Sequence, residues 1–370
     1  MIRVAIIGVG YWGPNLLRNF NDIPDCRVTL VCDRDEKRLQ SVCEGFPSVR
    51  ATTDVDDVFN GQVDAVVIAT PAKTHYALTR RALEAGLHAF VEKPLATTVG
   101  HCEQLVEIAK RQKVVLFVGH IFLYSAPVIK LKEIVESGEL GEPYYVSSTR
   151  LNLGPVRHDV SALWDLAPHD VSIILELMGT MPDAVSCSGL ARLNQSVHDV
   201  CNLTLHYGGK KLGLIHVSWL DPNKTRVMTV VGSKRMAVYN DLEPIDKIKV
   251  YDRGIDVPLD TNTENALPLN YRHGDYYSPT IGESEPLKLE CQTFLDCIAK
   301  QKTPHTDGQN GLQVVKVIET ASLSLNNGNG RVPLERFCAT NTNGNGSTPR
   351  ESGTRSTCAA CLYAEESSRP

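Results

Sequence analysis

Short, unbroken apolar runs rich in valine and isoleucine open the chain: "RVAIIGVG", "VTLVCD", "DAVVIATP", "HAFVEKP" and "VVLFVGH". Between them, "PNLLRNFNDI" and "HYALTRRALEAG" carry apolar residues at helical spacing, and Gly86 stands where the second should stop. A strand that is apolar throughout is buried on both faces. Its alternation with helices predicts βαβ units, hence a doubly wound parallel sheet of Rossmann type over residues 1–122.

Past the helical "SAPVIKLKEIVESGELGEP" the texture changes. "PYYVSSTRLNL", "VCNLTLHYG", "KLGLIHVSWL", "RVMTVVGSKRMAVYND" and "DKIKVYDRG" follow one another at hairpin-like spacing, interrupted by the helical pattern "WDLAPHDVSIILELMG". These runs predict an α+β domain over residues 123–336, with a large, open, mostly antiparallel sheet. "PLKLECQTFLDCIAK" and "NGLQVVKVIETASLSLNNG" add two late helices. Residues 337–370, rich in Asn, Gly, Ser and Thr, read as a low-complexity, disordered tail. The fold class is therefore α/β.

Composition narrows the partners. At 370 residues, 42% hydrophobic and 22% charged, the chain suits two soluble globular domains. A formal net charge of -5 offers no general attraction to nucleic acid or an anionic membrane. No apolar stretch reaches the roughly 18 residues that span a bilayer. The first strand runs into a glycine loop rather than a cleavage site, so a cytoplasmic location is expected. Eleven scattered cysteines, an odd number, suit reduced thiols. Cys358 and Cys361 form a lone C-x-x-C without companion ligands, and no metal is expected.

Gly8, Gly10 and Gly13 make G-x-G-x-x-G between the first strand and the first helix. Gly8 can take the tight turn, Gly10 admits a pyrophosphate to the backbone, and Gly13 lets helix and strand pack closely. Asp33 ends the second strand 20 positions after Gly13, where a carboxylate binds ribose hydroxyls and repels a 2′-phosphate. NAD is the expected cofactor; Arg34, beside Asp33, can stack on adenine or assist a phosphate. Ala69-Thr70-Pro71 and Glu92-Lys93-Pro94 close two later strands at the sheet's carboxyl edge, where such folds bind ligands. The residues expected around the dinucleotide are Gly8, Gly10, Tyr11, Trp12, Gly13, Asp33, Arg34, Thr70, Pro71, His75, Glu92, Lys93 and Trp164.

The joint presence of G-x-G-x-x-G, A-T-P, E-K-P and the later D-x-x-x-H of Asp165 and His169 resembles the glucose-fructose oxidoreductase/inositol dehydrogenase (Gfo/Idh/MocA) family over residues 1–335. The resemblance implies a Rossmann domain followed by a domain whose open sheet covers the active site and often mediates oligomerisation, so a homodimer or homotetramer is expected. It also implies that Lys93, Asp165 and His169 are catalytic, and that the peptide before Pro94 is cis. The chemistry agrees. Oxidising a secondary alcohol needs a base for the hydroxyl proton and a cation near the developing alkoxide. Lys93 can supply the charge, His169 titrates in the right range, and either can take the proton. Asp165, one helical turn earlier, lies on the same face and can orient the imidazole or bond a sugar; Asp165 and Pro168 also suit a helix's first turn.

"STRLNLGPVRHDVSALWDLAPHD" gathers Arg150, Asn152, Arg157, His158 and Trp164 before that helix. Arginine forks match phosphate or carboxylate, so Arg150, Asn152, Arg157 and Lys224 are the candidate substrate ligands, and Trp164 a wall. Surface salt bridges are the other reading of Arg150 and Arg157. The wording is similar to the family's nucleotide-sugar branch. That branch implies oxidation of the 3-hydroxyl of a UDP-sugar, UDP-N-acetylglucosamine first, supplying a 3-amino sugar for lipid A or surface polysaccharide. A UDP-N-acetylglucosaminuronate, an inositol or free sugar, and a non-enzymatic NAD-binding regulator remain open alternatives.

Overall fold

The computed structural model describes residues 1–157, 160–193, 197–256 and 270–334. His158, the tail and its C-x-x-C lie outside them. The first sheet holds β1 (Ile2–Ile7), β2 (Cys26–Cys32), β3 (Arg50–Thr52), β4 (Ala65–Ile68), β5 (His88–Glu92) and β6 (Leu116–Gly119), ordered β3-β2-β1-β4-β5-β6. All its pairings are parallel. Helices α1 (Gly13–Asn21), α2 (Glu36–Cys43), α3 (His75–Glu84) and α4 (Val99–Gln112) cross between strands. As the unbroken runs predict, β4 and β6 are buried at every position. The chain order reverses between β1 and β4, which opens the crevice where such sheets hold ligands.

After α5 (Ala126–Glu136) comes the second sheet: β7 (Pro143–Leu153), β8 (Ala184–Leu190), β9 (Val200–Tyr207), β10 (Lys211–Ser218), β11 (Leu220–Gly232), β12 (Met236–Asn240), β13 (Ile248–Asp256), β14 (Asn270–Tyr277) and β15 (Val332–Pro333). Their order is β14-β13-β12-β11-β7-β10-β9-β8-β15, antiparallel except for the β7/β10 pair. The strands alternate buried and half-buried positions, so one face carries the core. Helix α6 (Ala162–Met178) lies on that face, with Ala167, Val171 and Ile174 packed among Val146, Leu205 and Ile215.

Two departures from the sequence reading concern helices. Helix α6 begins at Ala162, after Ser161, so Pro168 sits inside the helix and not in its first turn. A proline there removes the N–H that would reach the carbonyl of Trp164 and loosens that turn. Apolar periodicity marks the helix only from Trp164, because Asp165 and Pro168 both suit a first turn. The second departure is the return of α7 (Pro286–Lys300) to the first sheet. Leu287, Cys291, Phe294 and Leu295 join the core of Phe20, Phe90 and Phe117. The ring of Phe294 stands edge-on to these three, centroids 6.1, 5.7 and 5.6 Å away.

Helix α8 (Gly308–Asn326) is shared. Leu312 and Val315 pack into a core beneath the first sheet, while Val317, Ile318 and Ala321 pack under the second. Trp164 bridges the same two cores, and its indole N–H donates to Ser322 at 3.0 Å. No helix among the described residues is long and apolar enough to cross a membrane. Because Phe294 has no exposed surface, Phe294→Ala should cost about 3–5 kcal/mol in urea unfolding. A loss below about 1 kcal/mol would show that α7 is not part of the first sheet's core.

Candidate active site

The glycine loop is shaped by contacts that only glycine permits. Gly8 adopts φ +95°, and a Cβ there would lie 2.7 Å from the Ala69 carbonyl oxygen. At Gly13 a Cβ would come within 2.2 Å of the Gly8 oxygen, whereas at Gly10 it would meet nothing within 4 Å. Helix α1 starts here with no capping side chain and no acid in its first turn, leaving its amides and their partial positive charge for an anion. Tyr11 is exposed, and Trp12, half-buried, meets it edge-on.

Asp33 buttresses the loop. One carboxylate oxygen accepts the Val9 amide at 2.8 Å and the other the Asp35 amide at 3.0 Å. Each oxygen keeps a lone pair for a ribose hydroxyl. The cation beside it is Arg38, 3.8 Å away, which sequence reasoning did not single out; Arg34 is exposed. Arg38 lies one helical turn past Asp35, the residue that caps α2, and that capping pattern was the available signal. The open cradle at Gly10, the uncapped helix and the engaged Asp33 together fit a dinucleotide.

Across the crevice, the A-T-P and E-K-P turns are tied together by His75. Its Nδ1 lies 2.7 Å from the Pro94 carbonyl and its Nε2 2.8 Å from the Thr70 carbonyl. The ring is buried between the two carbonyls, to one of which its N–H donates in the neutral form, so it lies between the two turns instead of presenting itself to a cofactor. Burial lowers its pKa, against the pull of the two carbonyls. Thr70 also accepts from the Thr74 hydroxyl at 2.8 Å, and Pro71 is exposed beside it. The Lys93–Pro94 peptide is cis.

Lys93 reaches from the end of β5 to α6, where its Nζ donates to the Asp165 carbonyl at 2.9 Å and lies 3.9 Å from the Asp165 carboxylate. That carboxylate also meets Arg157 at 3.4 Å. It therefore pairs with cations and does not orient His169, whose Nδ1 is buried without a hydrogen-bond partner among the described residues. Spacing of four residues put Asp165 and His169 on one face, but Lys93 competes for the carboxylate. Burial lowers the Lys93 ammonium, with Asp165 and Glu92 opposing and Arg157 and Arg150 adding to the effect. Burial likewise pushes Glu92 up to about 7, against the pull of Lys93.

His169 is held well below the usual histidine range, first by burial and then by Lys93, Arg150, His120 and Arg226. A neutral imidazole is thus kept among cations. Its ring meets Phe122 edge-on at 5.0 Å, and the guanidinium of Arg150 lies over the Phe122 face at 4.6 Å. Arg150, expected among the substrate ligands, is 6% exposed and forms a two-point pair with Asp170 at 2.6 and 3.2 Å. Strand pairing buries its position, so its fork is committed to the residue next to His169. Trp164 is likewise committed to Ser322. Asn152 is half-buried near the end of β7, and Lys224 is exposed on β11. The pairings Leu153 with Leu220 and Leu151 with Thr225 bring those two stretches side by side.

Two buried groups escaped the sequence reading: His120, the last residue of "VVLFVGH", and Glu290, a lone acid on the apolar face of α7. Burial pushes Glu290 well above the carboxylate range, with Glu92 adding to it. Both carboxyl oxygens of Glu290 lack partners among the described residues. Its position on an apolar helical face was the one signal in the sequence.

Comparison with known proteins follows the same layout. Residues 2–120 match a model described as the oxidoreductase family's NAD-binding Rossmann fold, and residues 128–238 match the GFO/IDH/MocA C-terminal domain. The chain belongs to the Gfo/Idh/MocA oxidoreductase family. Its cofactor is NAD. Among curated members it is similar to UDP-N-acetylglucosamine 3-dehydrogenase of Acidithiobacillus ferrooxidans, at 26% identity over 91% of this chain and 98% of that protein. It is 24% identical to myo-inositol 2-dehydrogenase of Thermotoga maritima over 88% of this chain and 96% of that one. In fold it is similar to the crystal structure of the Acidithiobacillus ferrooxidans enzyme, with TM-score 0.74 at 24% identity over 88% of this chain and 97% of that one. It is also similar in fold to an Agrobacterium radiobacter oxidoreductase solved with NAD+, L-tartaric acid and magnesium, with TM-score 0.75 at 20% identity over 91% and 99%.

Since Gly10 borders open space, Gly10→Leu should leave the melting temperature within about 1 °C while weakening NAD binding more than tenfold by calorimetric titration. Unchanged affinity would mean that the dinucleotide does not lie over this loop.

Proposed function

We propose that the chain oxidises the 3-hydroxyl of a UDP-sugar, UDP-N-acetylglucosamine first, with NAD. The observation that carries this reading is the half-buried cluster of Lys93, Asp165 and His169 at the crevice, in a chain similar along its length to a UDP-N-acetylglucosamine 3-dehydrogenase. Bound NAD supplies the hydride acceptor. Gly8, Gly10, Gly13 and the first turn of α1 hold its pyrophosphate, and Asp33 its ribose.

His169, neutral and ringed by cations, takes the hydroxyl proton. Lys93 Nζ, fixed by the Asp165 carbonyl, stabilises negative charge growing on the alcohol oxygen. Asp165 pairs with both Lys93 and Arg157 and offsets part of their charge in the resting site. Asn152, Arg157 and Lys224 are the polar and cationic groups suited to the diphosphate. A uronate would draw on the same cations for its carboxylate, and the similarity to myo-inositol 2-dehydrogenase supports a free cyclitol as the second reading.

Purified protein with NAD and a panel of UDP-sugars, free sugars and inositols, with and without 2-oxoglutarate to reoxidise bound NADH, tests this directly. A 3-keto product from UDP-N-acetylglucosamine is expected; turnover confined to free sugars or inositols would reject the nucleotide-sugar reading. Lys93→Ala should abolish turnover and retain NAD binding, and full activity in that variant would remove Lys93 from the mechanism. The pH dependence has a defined sign. A base whose protonated form is disfavoured stays competent as pH falls, so the acid limb of kcat/KM that His169→Gln removes should lie below the ordinary histidine value of about 6.5. A His169-dependent limb above that value would contradict the neutral imidazole.

A further inference from the structure

His120 follows directly on β6. Strand register pairs Glu92 with Gly119, which sets Lys93 and His120 at the next positions along neighbouring strands on the carboxyl edge. The residue is 1% exposed, and among the described residues neither ring nitrogen has a hydrogen-bond partner. Its backbone is fully used: the amide donates to the Val118 carbonyl, and the carbonyl accepts from Leu123. Phe122, two residues on, packs against the His169 ring.

A buried imidazole with both nitrogens idle costs stability, and native structures rarely keep such a group without a water, an ion or a ligand to complete it. Burial and the charge of Lys93 push it down to about 3, so the ring rests neutral. What remains is its hydrogen-bonding capacity: one N–H donor and one lone pair. The two nitrogens point to different sides of the ring, and either can bond a hydroxyl, which both donates and accepts.

We propose that His120 is a specificity residue that hydrogen-bonds a hydroxyl of the substrate. This rests on the reading above that the site oxidises a polyhydroxylated ring. The pairing would select a hydroxyl over a hydrogen at that position, because a site built to bond a hydroxyl loses most when the hydroxyl is missing.

The test crosses two His120 variants with substrate analogues. His120→Leu should lower kcat/KM for the parent sugar about 10- to 200-fold, with NAD affinity unchanged, and His120→Gln should recover part of it. One mono-deoxy analogue should lose a similar factor with the wild-type enzyme and nothing further with His120→Leu. Losses that multiply for every mono-deoxy analogue would overturn the proposal. If inositols or free sugars prove to be the substrates, the nucleotide-sugar reading fails while the same cycle runs on their mono-deoxy forms. A further arm needs no substrate. Ligand-free His120→Leu should melt at or above the wild-type temperature, because it removes two idle polar atoms; melting several degrees lower would make His120 a structural residue and overturn the assignment.

Discussion

The contact on which the site depends is the bond from Lys93 Nζ to the Asp165 carbonyl, 2.9 Å long, between the end of β5 and the first half of α6. It joins the layer that cradles the dinucleotide to the helix that carries His169. An ammonium taken from water needs an acceptor, and a helix carbonyl near a loosened turn offers one without a second full charge. Pro168 sits in that part of α6. The proline that would weaken an ordinary helix thus lies beside the point where another element must dock. The shared helix α8 and the wedge of Trp164 fix the same two layers from behind, so the bond does not carry their alignment alone.

Charge balance around this bond decides the chemistry. Lys93, Arg150 and Arg226 all act on His169, and of the three only Arg150 holds its counter-ion, Asp170, in a fully buried pair. Removing one member of such a pair leaves an uncompensated buried charge, which makes the pair structurally indispensable whatever its net worth. The Arg150 guanidinium also covers the face of Phe122 while His169 meets the same ring at its edge. Position and protonation of the imidazole therefore come from one small assembly. The result is an imidazole that rests unprotonated in a site dense with positive charge, free on the proposed reading to accept the hydroxyl proton and quick to give it up again.

Much of this was legible in the sequence, because its signals are local. Unbroken apolar runs can be satisfied only by burial on both faces, which is why the parallel sheet could be drawn from "DAVVIATP" and "HAFVEKP" and is present. G-x-G-x-x-G is local too: the Gly13 Cβ would strike the Gly8 oxygen, five residues away. The start of α6, at Ala162, is less legible in the sequence. Apolar periodicity marks the buried face, whereas the helix start depends on Ser161 and the residues just before the apolar stripe.

By itself, then, the sequence determined the two sheets, the dinucleotide loop and the candidate trio of Lys93, Asp165 and His169. Only the tertiary structure decided the partnerships. Asp165 pairs with Lys93 and Arg157 and leaves His169 alone; Arg150 is spent on Asp170; His75 links two turns; His120 and Glu290 are buried beside them. The physical reason is range. Backbone periodicity and turn sterics are set by neighbours within a few residues, whereas an ion pair or an idle imidazole is set by whichever side chain arrives from another element, here 72 residues from Lys93 to Asp165.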